Sequence, residues 1–193
     1  MHWKATAHRA ELMVRQEEQQ VTPRAAVWLD AEPSSQGTAR DRSDAWEYSP
    51  SFEWSIVAVA SISSHLVRAG YVVTVQSNGH AVDRFVADGQ DTLEDAMADL
   101  AVLTPEEHDH EGAAVAERTT FVVLGRLDVE RARHWVSTLS ASRAIMAFVA
   151  HGTRDDVLDL LHGARWNVVT YTPKDDLAEC WSRFDQAFSH VAS

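Results

Sequence analysis

Apolar residues gather along this chain in short runs that alternate between two periods. Ala25-Ala-Val-Trp-Leu29 is one continuous run; it ends in Asp30 and leads into the turn formers Ala31-Glu-Pro-Ser-Ser35. That pattern predicts a strand buried on both faces whose carboxyl end delivers a charged side chain into a loop. Runs at Tyr71–Val75, Thr119–Leu124, Arg143–Val149 and Trp166–Tyr171 predict further strands, and Ala81–Val86 a short extra one. Between the runs the spacing turns helical. Trp54, Ile56, Val57, Val59, Ala60, Ile62, Leu66 and Val67 predict a helix over Phe52–Ala69, with Ser51 as its N-cap and Gly70 closing it. Leu93, Ala96, Met97, Leu100 and Leu103 share one face of a second helix behind Asp91 or Thr92. Asp128 opens a third, Asp155–Ala164 forms a fourth, and Asp175 or Asp176 caps the last. The last helix carries an apolar stripe of Leu177, Cys180, Trp181, Phe184, Phe188 and Val191.

From residue 24 onward strands and helices thus alternate with mostly short connections. This order predicts a doubly wound α/β fold, with a mostly parallel sheet and helices on both faces. In such sheets ligands bind at the carboxyl ends of the central strands, so Asp30 and the loop behind it are the first candidate site. Glu11–Glu17 alternates loosely and predicts an edge strand that Val21-Thr-Pro23 ends. The organisation expected is an N-terminal arm and edge strand over 1–20 and one domain over 21–193. Residues 31–50 form a long polar loop, unusual inside a compact domain and of the kind that tends to carry function.

Composition narrows the classes. The chain of 193 residues carries a formal charge of −12, which argues against nucleic acid or anionic lipid as its main partner. One cysteine, Cys180, rules out an internal disulfide, and its place in an apolar stripe makes it core rather than nucleophile. No apolar run reaches the roughly 20 residues of a membrane helix. Gly-x-Ser-x-Gly, the phosphate loop and the Gly-x-Gly-x-x-Gly fingerprint are all absent, so neither a hydrolase nor a nucleotide site has a motif behind it. His108 and His110, with Glu106, Glu107 and Glu111, read as a solvated acidic loop rather than a metal site. Trp28, Trp54, Trp135, Trp166 and Trp181 fall inside predicted elements and are assigned to the core. Trp46 and Tyr48 form an aromatic pair in the long loop, either a partner anchor or a flap folded over the sheet edge.

The opening residues, His2-Trp-Lys-Ala-Thr-Ala-His-Arg-Ala-Glu-Leu-Met-Val-Arg15, resemble the signature of the bacterial "domain of unknown function 58" family. His8 stands where that family usually has a base, and Arg9 follows it. A strand ending in Asp, a long loop, a helix with Glu53-Trp54 near its start and Gly70 before the next strand extend the resemblance along the chain. It implies a von Willebrand factor A-like domain. It also implies membrane helices and a small β-rich segment ahead of Met1, so that this chain is a truncated member, or one whose start was assigned too late. By the same resemblance the expected partner is an AAA+ ATPase of the MoxR type, with this domain on the cytoplasmic side. The expected role is non-catalytic, in protein assembly or maturation or in envelope processes.

The resemblance implies one concrete chemistry, a metal-ion-dependent adhesion site. That site takes Asp-x-Ser-x-Ser after the central strand, a Thr from a second loop and an Asp from a third, an all-oxygen shell suited to Mg²⁺. The matching residues here are Asp30, Glu32 and Ser34. Glu32 replaces the first Ser, Pro33 stiffens the turn, and Gly125-Arg126 stands where metal-binding relatives have Thr-Asp-Gly. The expectation is therefore a degenerate site in which Arg126 pairs with Asp30 or Glu32. Docking is assigned to Trp46, Tyr48, Arg126 and Asp128. A Mg²⁺-dependent adhesion module binding an acidic ligand residue is the alternative, and a hydrolase on the same fold comes third.

Overall fold

The computed structural model describes residues 22–38, 45, 47–77, 85–105 and 117–191. The arm over 1–20 with its predicted edge strand, the His108–His110 loop and Trp46 lie outside the described residues. β1 (Arg24–Leu29), β2 (Val72–Ser77), β3 (Phe85–Ala87), β4 (Thr119–Leu124), β5 (Ala144–Ala150) and β6 (Asn167–Tyr171) form one sheet in the order β3-β2-β1-β4-β5-β6. All neighbours pair in parallel except β3, which runs antiparallel along β2. The predicted strands are found within a residue or two. The predicted Ala81–Val86 strand is described only as Phe85–Ala87, with residues 81–84 outside the described set.

The helices are α1 (Pro33–Gln36), α2 (Pro50–Arg68), α3 (Gln90–Ala101), α4 (Val129–Thr138), α5 (Asp155–Gly163) and α6 (Leu177–Val191). Alternate side chains of each central strand point to opposite faces, and each face has its own core. Val27, Leu29, Val75, Phe121, Val123, Phe148 and Tyr171 pack with α2, α3 and α6 through Phe52, Val59, Ile62, Leu100, Cys180 and Phe184. Ala26, Trp28, Val122, Leu124, Ala147 and Val149 pack with α4 and α5 through Ala132, Trp135, Val157 and Leu161. The sheet is thus covered on both sides, which explains why its central strands read as unbroken apolar runs. Cys180 is buried, and burial pushes its thiol pKa up, in keeping with a core role. Among the described residues no helix is long and apolar enough to cross a membrane.

Several boundaries differ from expectation for local reasons. α2 begins at Pro50, with Ser49 as N-cap: its hydroxyl accepts the Phe52 N–H at 3.1 Å, while Pro50 occupies the first turn, where no N–H is needed. The predicted cap, Ser51, lies inside the helix. At the other end Tyr71 N–H donates to Leu66 and Gly70 N–H to Val67, both at 3.0 Å, with Gly70 at φ +85°. This is a Schellman closure, and it is where glycine's left-handed freedom is used. α3 starts behind Gly89, and Thr92 closes its first turn by accepting the Gly89 N–H at 3.1 Å. Asp176 caps α6, its Oδ1 accepting from Ala178 at 2.8 Å and Glu179 at 3.2 Å.

α5 closes with the same pattern as α2, Trp166 N–H to Leu161 at 3.1 Å and Arg165 N–H to His162 at 2.8 Å. Here the left-handed residue is Arg165, at φ 65°. A side chain in that conformation costs roughly 1–2 kcal/mol, which glycine avoids. Arg165→Gly is therefore expected to raise stability by about 1 kcal/mol, after the greater backbone entropy of glycine in the unfolded chain is offset. Urea unfolding monitored by tryptophan fluorescence measures this directly.

Candidate functional site

The order of the strands reverses between β1 and β4, since the chain builds β2 and β3 on one side of β1 and β4, β5 and β6 on the other. The carboxyl ends of β1 and β4 therefore flank the topological switch point, the place where open α/β sheets form a crevice. Asp30 stands there. Its N–H continues the ladder past the end of β1, donating to Val123 at 2.9 Å, and its side chain is fully buried.

A buried carboxylate has to be compensated by hydrogen bonds and opposite charge. Glu32 N–H donates to Asp30 Oδ1 at 3.2 Å, the turn in which an Asp side chain accepts from the backbone two residues on. Gly125 N–H, at the end of β4, donates to Oδ2 at 3.3 Å. The positive charge comes from Arg131, whose Nη2 lies 2.9 Å from Oδ1. The same guanidinium reaches Ser34 Oγ at 3.2 Å and Glu32 Oε1 at 3.9 Å through Nη1. The three residues assigned to a metal, Asp30, Glu32 and Ser34, are thus brought together, and they converge on an arginine.

That arginine is not the expected one. The charge pair assigned to Arg126 is made by Arg131. Arg126 is exposed and turns its side chain over Gly152, where a Cβ would stand 3.3 Å from Nε. The physical reason lies in α4. Asp128 caps that helix, its Oδ1 accepting the Arg131 N–H at 2.8 Å, so Arg131 falls in the first turn. Long helical side chains point back toward the helix N-terminus, which carries the guanidinium over the carboxyl edge of the sheet. A cation in the first turn opposes the helix dipole. Arg131 in that position was the available sequence signal for an acidic partner nearby.

The segment behind Asp30 begins with a helical turn that the sequence reading assigned to a loop. Pro33 starts α1, a single turn closed by Gly37 at φ 68°. Gln36, almost fully buried, donates through Nε2 to the Asp30 carbonyl at 2.5 Å. Ser49 Oγ donates to the Gln36 carbonyl at 2.6 Å while capping α2. Thr38 Oγ1 donates to the Glu47 carbonyl at 2.5 Å. The two ends of the 31–50 segment are therefore fastened to each other and to the end of β1. Gln36 carried no pattern in the sequence, because its role depends on a carbonyl six residues away.

Gly125 completes the frame. Arg126 N–H donates to the Ser35 carbonyl at 2.7 Å, drawing α1 against the end of β4. A Cβ on residue 125 would fall 2.7 Å from the Ser35 hydroxyl oxygen and nearer still to its carbonyl. Alongside, Tyr171 OH meets Ser55 Oγ at 2.9 Å, and Ser51 Oγ and the Leu124 carbonyl at 3.3 Å. Trp54 stacks on the Tyr171 ring at 3.8 Å between centroids and donates its indole N–H to the Asp175 carbonyl at 2.9 Å. Burial pushes the Tyr171 pKa up, the two serine hydroxyls draw it back, and the Asp30 charge raises it again. Tyr171 is accordingly a neutral phenol that joins α2 to the ends of β4 and β6.

Of the docking candidates, Trp46 lies outside the described residues. Tyr48 is 75% exposed and donates its phenolic proton to Glu53, a contact that raises its pKa. Arg126 and Asp128 are exposed on the loop after β4, although Asp128 also serves as the α4 cap.

An Mg²⁺ ion at this place would have to share its donors with Arg131. A hard cation has to approach carboxylate oxygens to about 2.0–2.1 Å. The Asp30 Oδ1 position such an ion would use already accepts Arg131 Nη2, and the hydroxyl of Ser34 accepts from the same guanidinium. With Arg131 in this place the residues do not fit the ion. Compared with known proteins, the chain matches no family model and no curated protein.

Two substitutions test this frame. Gly125→Ala is expected to destabilise the protein by about 1–3 kcal/mol through the clash with Ser35, measured by urea unfolding. Asp128→Ala removes a helix cap and is expected to cost about 1 kcal/mol in the same assay.

Proposed function

We propose that this chain is a non-catalytic protein-interaction domain that docks its partner through the carboxyl edge of the sheet. The observation that carries the reading is the pairing of a locked frame with an exposed aromatic. Asp30, the buried acid at the switch point, is engaged by Arg131 and by the backbone of Gly125 and Glu32. Beside that frame Tyr48 presents a ring that is 75% exposed, at the base of the 31–50 segment. Large aromatic side chains held on rigid supports are the usual anchors of protein interfaces, since little conformational entropy is lost when they are covered. Arg126 and Asp128 add exposed charges of both signs on the neighbouring loop.

The partner we propose is an AAA+ ATPase of the MoxR type, acting with this domain in protein assembly or maturation or in envelope processes. Support for that partner comes from the resemblance of His2–Arg15 to the domain of unknown function 58 signature. Binding by the purified chain to the MoxR-type ATPase of the same genome is the direct test, read by biolayer interferometry. Tyr48→Ala is expected to weaken it about tenfold, the scale of an interface anchor. Chelation with EDTA is expected to leave it unchanged in ATP-free buffer. Failure of the wild-type chain to bind removes the proposed partner, and EDTA-sensitive binding favours the adhesion-module alternative.

A further inference from the structure

The strands β1, β4, β5 and β6 stand side by side, and each has an arginine at its amino end. Arg24 is the first residue of β1, Arg118 and Arg143 immediately precede β4 and β5, and Arg165 lies two residues before β6. We propose that this amino edge is a docking surface in its own right, on which the arginine row holds a short acidic segment of a partner protein. The surface lies at the opposite end of the strands from Asp30 and is independent of any partner held there.

Three observations carry it. First, the arginines are aligned. Ala25 pairs with Thr119 and Thr119 with Ala144, so Arg24, Arg118 and Arg143 occupy one level on three adjacent strands. Arg143 N–H donates to the Arg118 carbonyl at 3.2 Å, which holds that level past the strand ends. At roughly 4.8 Å per strand the row spans about 14 Å, which about four or five residues of extended peptide would cover. Second, the row is short of acids. Residues 22–24, 117–118, 139–143 and 162–166, which lead into these strands, include one acid, Glu117, and it pairs with Arg24 at 3.1 Å. Arg118, Arg143 and Arg165 are exposed, and their guanidiniums have no hydrogen-bond or ion-pair partner among the described residues. Third, Arg165 is kept where the backbone disfavours it. Among the described residues it is the one non-glycine with positive φ, at 65°, in the closing position of α5 that Gly70 fills behind α2. Strain that the turn itself does not require points to a use for the side chain.

The chemistry of the row selects its occupant. A guanidinium fork binds a carboxylate through two parallel hydrogen bonds. A long polyanion or an anionic membrane would extend past the row onto a chain of net charge −12, which repels it. A short acidic segment ends within the row. The six residues of β4 span about 20 Å, more than twice the screening length at physiological salt, so acids at the carboxyl edge do not cancel the row.

The experiment measures binding of a fluorescein-labelled hexaglutamate peptide to the full chain by fluorescence anisotropy, in about 50 mM NaCl. Saturable binding is expected, weakened at least about fivefold by about 200 mM NaCl. Arg165→Gly is expected to weaken it about fivefold or more while unfolding at a higher urea concentration than the wild type, so that loss of binding is not loss of fold. Arg118→Gln with Arg143→Gln is expected to weaken it about tenfold or more. Arg154→Gln, which removes one exposed charge at the carboxyl edge, is expected to leave it unchanged. If the double variant does not fold, Arg165→Gly alone decides. Absence of binding by the wild type overturns the proposal, as does an Arg165→Gly that binds like the wild type. A loss in Arg154→Gln equal to that in Arg165→Gly reflects net charge alone and overturns it too. Tighter binding to phosphatidylserine vesicles or to an oligothymidylate than to the peptide overturns the acidic segment as occupant.

Discussion

A carboxylate with no exposure to water sits where the strand order of this sheet reverses, and its compensation organises the surrounding chain. Asp30 needs donors and a positive charge, because an ionised group in a low-dielectric setting is costly unless it is paired. The donors come from its own loop and from the end of β4, and the charge comes from the first turn of α4. Each source imposes a condition. The β4 donor requires residue 125 to lie so close to Ser35 that a side chain cannot be accommodated. The α4 donor requires a helix that starts at Asp128 and so aims Arg131 backwards over the sheet. A single buried acid thus couples two strands, the one-turn helix α1 and the start of α4.

The same edge is braced from the other face by neutral groups. Tyr171 places its hydroxyl among Ser51, Ser55 and the Leu124 carbonyl, and Trp54 covers its ring. Satisfied hydroxyls in a buried seam fix relative positions more narrowly than apolar contacts alone, because each misplacement leaves a polar group unpaired. One core face therefore meets the carboxyl edge through an ion pair and the other through a hydroxyl network. The loops at that edge rest on both.

This arrangement bears on the chemistry the edge can offer. A metal ion at such a site would recognise an acidic ligand by coordination. A guanidinium already shared among Asp30, Ser34 and Glu32 offers no coordination position, so under the proposed reading a partner is held by surface side chains such as Tyr48. Under that same reading the charged cluster braces the loops at this edge and makes no contact with the partner itself.

Most of the architecture was legible in the sequence. The apolar runs of β1, β4 and β5 and the stripes of α2, α4 and α6 state their periods openly, because side-chain burial follows backbone geometry one residue at a time. The grouping of Asp30 with Glu32 and Ser34 was only what the family resemblance implied, whereas the position of Asp30 at a strand end was legible as local pattern. The Asp128 cap was too. The identity of the paired arginine was not, nor was the role of Gln36, nor the contact that excludes a side chain at Gly125. Arg126 lies two residues past the end of β4 and Arg131 five residues further on, and in the linear chain the nearer one looks like the partner. Only the folded helix decides between them, because its axis and its backward-leaning side chains set which guanidinium reaches the switch point. Periodicity and turn chemistry are properties of neighbouring residues and survive in the sequence. An ion pair across 101 residues depends on how a helix is laid against a sheet, and that is a property of the tertiary structure.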